Sequence, residues 1–214
     1  MFEKIFENSP ATWGAVIALA LIGAGVLTLS RDRNRWTTRT LAIGALCVAL
    51  SFLLSCIRMY RMPQGGSVTL ASALPLLAYA YYFGTAPGLL AGAALGFLQL
   101  LQDFYFLNFT QMLLDYPIAF GALALAGLFR KLPRSSGLYV GIAVGSLARF
   151  FCSVLSGVVF FAEYAPPEMN PWIYSLGYNG SYMGIEVVIC LVVAAVPAVR
   201  ATLERLSNQM IPNK

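Results

Sequence analysis

One carboxylate, Asp115, stands inside the apolar run TQMLLDYPIAFG. At membrane depth a charged side chain is costly unless paired or wet, so such a residue marks a functional position by default. Gln111 lies one helical turn earlier on the same face. Tyr116 and Pro117 follow directly, and the proline is expected to bend the helix and free a carbonyl there. Further along, Arg149, Ser153, Gly157 and Phe161 recur every four residues, which sets a cation, a hydroxyl, a gap and a ring on one helical stripe. Beyond a Pro-rich break come Tyr174, Ser175, Tyr178 and Asn179. A purely structural span has no reason to gather these groups, because each must find a polar partner without water. Interhelical hydrogen bonding is the alternative use. A carboxylate beside Tyr116, Phe161 and Tyr174 suits a flat cationic heterocycle, since ring faces attract cations and the acid balances charge. Arg149 has two compatible readings, an ion pair with Asp115 or Glu186 and direct contact with a ligand.

Other chemistry is excluded or weakly supported. The chain has no histidine, which removes the commonest general base and zinc ligand. Ser153 as an intramembrane nucleophile would need a base within reach, and no lysine lies within an apolar run. Cys47, Cys56, Cys152 and Cys190 lack CxxC spacing, so neither a disulfide framework nor a metal site is suggested. No GxxxxGK[ST] phosphate loop occurs, so nucleotide hydrolysis of the usual kind is not expected here. No cofactor is expected.

These residues must be positioned by membrane helices. Hydrophobic residues make up 59% of the chain and charged ones 11%, with mean hydropathy +0.73. Reading runs of roughly 17 to 25 residues as spans gives Trp13–Leu29, Leu41–Cys56, Leu70–Phe83, Pro87–Leu101, Met112–Phe129, Leu138–Phe161 and Ile173–Val199. The third and fourth are short and separated by Gly84-Thr-Ala-Pro87, a helical hairpin. Glu3 and Glu7 precede the first span and no small-residue cleavage site follows it, so it reads as a helix rather than a signal peptide.

The net charge of +5 follows topology and not nucleic-acid binding. Arg31, Arg33, Arg35 and Arg39, then Arg130, Lys131 and Arg134, then Arg200, Arg205 and Lys214 all fall on one side, the cytoplasmic side by the positive-inside rule. The N-terminus is then outside and the C-terminus inside. The Met62–Ser67, Gln102–Thr110 and Glu163–Pro171 loops share the external face. Phe104, Tyr105, Phe160, Tyr164, Trp172 and Tyr178 cluster there and read mainly as an interfacial belt. In Met62–Ser67, Gly65 and Gly66 permit backbone conformations closed to other residues. On the second span Ala42, Gly44, Ala45 and Ala49 form a small-residue surface for close helix packing, internal or with another subunit.

Taken together, RMPQGGSVTLASALP, QMLLDYPIAFGALALAGLF and SGVVFFAEYAPPEMNPWIYSLGYNGSY resemble, in order and spacing, the thiamine-specific S-component of energy-coupling factor transporters. The likeness runs from about Arg39 to Arg200. It implies an all-α integral membrane protein with a six-helix S-component core over residues 37–214, to which residues 1–36 add an N-terminal transmembrane helix and basic linker. It also implies a multi-pass protein of a bacterial cell membrane that captures thiamine from outside and delivers it by docking to a coupling transmembrane subunit driven by ATPase subunits. Asp115, Tyr116, Gln111, Gly157, Tyr174 and Asn179 fall on the family's binding positions, and Ala45 and Ala49 on its docking pair. Three residues depart. Ser153 replaces a histidine, Phe161 a tryptophan, and Gly66 stands near where another ring covers the thiazolium, so a thiamine precursor or analogue is an alternative ligand. Trp172 is a candidate replacement ring. The competing classes, an intramembrane enzyme and an ion-coupled transporter acting alone, have little in the sequence to favour them.

Overall fold

The computed structural model describes residues 36–103 and 107–210, together with Ile17. The N-terminal span, apart from Ile17, lies outside the described residues, as do Arg31, Arg33, Arg35, Phe104, Tyr105 and Lys214. The first described helix, α1 (Thr38–Cys56), starts at Thr37, whose hydroxyl accepts from the Thr40 N–H at 3.1 Å. Its buried residues are Thr40, Gly44, Val48, Ser51 and Ser55, a stripe of mostly small side chains. The opposite face is exposed and oily, with Leu46 at 70% and Leu53 at 63%. That inversion of the soluble pattern fits a helix facing lipid, where small residues let helices approach.

An antiparallel ribbon follows, β1 (Arg58–Arg61) and β2 (Ser67–Thr69), paired Arg61 to Ser67 and Tyr60 to Val68, with a bulge between Arg58 and Tyr60. Apolar periodicity does not announce this element. Its turn is closed by the Met62 N–H donating to the Gly66 carbonyl at 3.0 Å.

The next helix begins four residues later than the apolar run, as α2 (Leu74–Phe83), because residues 70–73 form a turn with Ala71 at φ 55°. Ten residues reach only about 15 Å, far short of a bilayer's hydrocarbon core. Instead α2 packs against α1 and against α3 (Thr85–Gln102), α4 (Phe109–Lys131) and α5 (Arg134–Phe160). Leu76, Leu77 and Ala80 are wholly buried there. Gly84, at φ 102°, makes the expected hairpin turn between α2 and α3.

Within α4 the coil opens into a π-turn at Leu114–Ile118 around Pro117, which has no N–H for the ordinary ladder, and later tightens into a 3₁₀ coil. α3 fits against this turn through Gly96, where an added Cβ would lie 2.5 Å from the Tyr116 carbonyl oxygen. After the Pro-rich loop, Asn170 caps α6 (Pro171–Ala195) through a 2.9 Å bond from the Trp172 N–H. The last apolar run therefore ends at Ala195 and not Val199. Pro197 opens a separate helix, α7 (Pro197–Met210), carrying an exposed Arg200–Glu204 pair at 3.0 Å.

Candidate functional site

α4, α5 and α6 supply most of the walls of a cavity of about 270 Å³, near the lower end of the usual range for ligand pockets. The 62–66 loop, β2 and the 70–73 turn add to them, with Ser55, Arg61, Gln99 and Asp103 at the edge. Asp115 sits in the π-turn, and the extra residue there sets its carboxylate toward α5. One oxygen, Oδ2, accepts from the Gln111 amide and from the Ser156 hydroxyl, the latter at 2.7 Å. Gln111 is itself fixed: Asn108 caps its N–H at 2.9 Å, and its own Oε1 accepts from the Leu107 N–H at 3.0 Å. Asp115 therefore points from a braced position and keeps Oδ1 for another donor.

Arg149 lines the same cavity. Among the described residues it forms no ion pair with Asp115 or Glu186. Its guanidinium lies 4.1 Å from the Phe120 ring centroid, a cation–π contact, and its Nε is buried without an acceptor. Of the two readings of Arg149, the ion pair is not formed and a ring stands in its place.

On the α6 side, Ser175 donates to the Val154 carbonyl at 2.8 Å. The Asn179 amide donates to the Ser175 carbonyl at 3.0 Å, and its Oδ1 accepts from the Tyr182 hydroxyl at 2.9 Å. Gly157 fronts Ser175, whose hydroxymethyl fills the space a Cβ would need. The gap read as room for a ligand is thus largely a helix contact. Ser153 and Phe161 line the cavity as the stripe predicts, and the Phe161 ring tilts against Tyr164 with centroids 5.9 Å apart.

The 62–66 loop covers the outer end. Tyr174 donates to Gln64 Oε1 at 3.0 Å, the Gln64 N–H donates to the Tyr178 hydroxyl at 2.9 Å, and that hydroxyl donates to the Gly65 carbonyl at 3.0 Å. Gly65 and Gly66 take φ of 91° and 86°, and a Cβ on Gly66 would lie 2.7 Å from the Tyr182 ring. At the rim, Asp103 binds Arg58 at 2.6 Å and Arg61 at 3.4 Å, and its carbonyl accepts from the Tyr116 hydroxyl at 3.1 Å.

All ten residues singled out by type and spacing line this one cavity: Gly66, Gln111, Asp115, Tyr116 and Arg149 on one hand, Ser153, Gly157, Phe161, Tyr174 and Asn179 on the other. Sequence reasoning missed Gln64, Phe120, Ser156, Tyr182 and the cavity face of Glu186, and it assigned Tyr178 to the belt. Tyr174, Tyr178, Tyr182 and Glu186 recur every four residues, a periodicity that would have found three of them. Trp172, offered as a replacement ring, is half-exposed and outside the lining. Ala45 and Ala49 are exposed on the outer face of α1, away from the cavity.

Apolar helices arranged around a chamber with both polar and apolar lining define a multi-pass membrane protein with room for a small molecule. Among the described residues five helices are long and apolar enough to cross a membrane, and Leu74–Phe83 is a shorter one. The model of the thiamine transporter protein family matches residues 41–205, and the chain belongs to that family. It is 35% identical to the thiamine transporter ThiT of Bacillus subtilis over 144 residues, covering 62% of this chain and 74% of the relative. It is also 35% identical over 138 residues to the thiamine transporter ThiT of Lacticaseibacillus paracasei, covering 58% and 69%. A solved structure of ThiT from Listeria monocytogenes superposes with TM-score 0.66 at 23% identity, over 78% of this chain and 93% of that one, which establishes the shared fold. The family is one of transporters and not of enzymes.

Proposed function

We propose that this chain is the substrate-capture subunit of an energy-coupling factor importer and binds thiamine in the chamber under the 62–66 loop. The observation that carries the reading is Asp115, braced by Gln111 and Ser156 with one oxygen unused, in a chamber lined by Tyr116, Phe161, Tyr174 and Tyr182. A carboxylate accepts from the amino group of an aminopyrimidine, and ring faces hold a flat cation. Asn179 and Ser153 supply further polar contacts, and Arg149 a further donor. The loop, joined to α6 by hydrogen bonds at Gln64 and Gly65, is the part that opens to admit substrate from the external side.

In this reading the N-terminus is external and the C-terminus cytoplasmic, in keeping with Arg39, Arg130, Lys131, Arg200 and Arg205. The exposed face around Ala45 and Ala49 docks the coupling subunit, and separate ATPase subunits supply the energy. Isothermal titration of the purified protein with thiamine tests the capture step. Saturable one-to-one binding is expected, and heats no larger than those of dilution would refute it.

The departures at Ser153, Phe161 and Gly66 keep a thiamine precursor or analogue as the alternative ligand. One observation reduces their weight: Tyr182 presses its ring against Gly66, so a ring stands beside the position that lacks one. Competition between thiamine and its free aminopyrimidine half decides. Tighter binding of the half would favour the precursor.

A further inference from the structure

Glu186 is a second carboxylate in the chamber wall, on α6, and it is 93% buried at 7% relative exposure. Among the described residues it has no cationic partner. Its Oε1 accepts from the Thr69 hydroxyl at 2.6 Å, the Ser72 N–H at 3.0 Å and the Ser72 hydroxyl at 3.2 Å, and its Oε2 accepts from the Thr69 N–H at 2.7 Å. Four dipoles hold this acid in place and none of them carries a charge to cancel its own. Asp103 and Arg61 at the rim already pair. The interior is left with two acids, Asp115 and Glu186, facing one cation, Arg149. Burial of Glu186 makes that imbalance count, because charges interact more strongly where the effective dielectric is low.

We infer that Glu186 is a specificity-determining residue, the fixed countercharge that selects the cationic ring of the ligand, while Asp115 reads its amino group. The inference rests on the thiamine reading of the chamber. The two acids come from different helices, so they can meet two ends of one molecule. A structural role alone, clamping the 69–72 turn to α6 with both oxygens as acceptors, would not distinguish a charged ligand from a neutral one.

The test uses the purified full chain with two probes, thiamine and its neutral carbon isostere, in which the quaternary ring nitrogen is replaced by carbon. The wild-type protein is expected to prefer thiamine by about tenfold or more, and equal affinities would overturn the inference without any variant. Glu186→Gln removes the charge and also turns one clamp acceptor into an amide donor, so it is expected to weaken both probes but thiamine far more than the isostere, erasing most of that preference. Glu186→Asp, which keeps the charge, retains the preference. Asp115→Asn and Ser72→Ala, one removing the amino-group acceptor and the other a clamp donor, are expected to weaken both probes in parallel. Parallel weakening by Glu186→Gln, or no change, would reduce Glu186 to a clamp. Failure of the wild-type protein to bind either probe would instead overturn the reading of the chamber itself.

Discussion

A buried carboxylate is informative through what it leaves unsatisfied. Asp115 receives two neutral donors on one oxygen and, among the described residues, none on the other, so its removal strips the chamber of an acceptor already held in position. Asp115→Ala is expected to weaken thiamine binding by about 2 kcal/mol or more, read by calorimetry. Unchanged affinity would remove Asp115 from the site. At the loop, Tyr178→Phe deletes the hydroxyl that joins Gln64 and Gly65. About tenfold faster release of bound thiamine is expected in stopped-flow measurements, since each lost bond is worth roughly 1 kcal/mol. The chemistry of Asp115 was legible in the sequence because an acid in an apolar run is rare. The partner of Arg149 was not, because a charge in a sequence advertises the opposite charge, and a ring at Phe120 looks like any other core aromatic.

Elements hold these residues at their angles through backbone fit. The π-turn of α4 and the glycine of α3 are complementary, with Gly96 packed against the Tyr116 carbonyl. Gly96→Leu must part the two helices at the turn that carries Asp115. A stability loss of about 1–3 kcal/mol is expected, seen as a lower Tm together with weaker binding. An unaltered Tm would mean that α3 and α4 are not closely seated. Apolar runs and the Gly84 turn gave the helix order directly, since lipid exposure forces long hydrophobic stretches. The ribbon between α1 and α2 was hidden for a plain reason. Two strands of four and three residues, only partly buried, carry too few positions for an alternating pattern to stand out. The break at Val196 was equally obscured, because hydropathy stays high across Pro197 while the hydrogen-bond ladder does not.

At the scale of the whole molecule, the surfaces proposed for binding and for delivery are separate. The chamber opens toward the loops, whereas Ala45 and Ala49 lie on the exposed side of α1. The double variant Ala45→Arg, Ala49→Arg is expected to bind thiamine normally in detergent and to abolish uptake in cells supplying the coupling and ATPase subunits. Normal uptake would exclude this face from docking. The order of the six apolar helices α1–α6 among the described residues follows from hydropathy and short connections. Which faces meet was set by small residues and by single polar bonds, whose partners on other helices no period within one helix names. A structure determined with thiamine bound is the most direct test of the central claim. Density for the aminopyrimidine ring against the Asp115 carboxylate, with the 62–66 loop closed over it by Tyr174 and Tyr178, is the predicted result. Thiamine lodged elsewhere, or bound in the chamber without touching Asp115, would contradict the account.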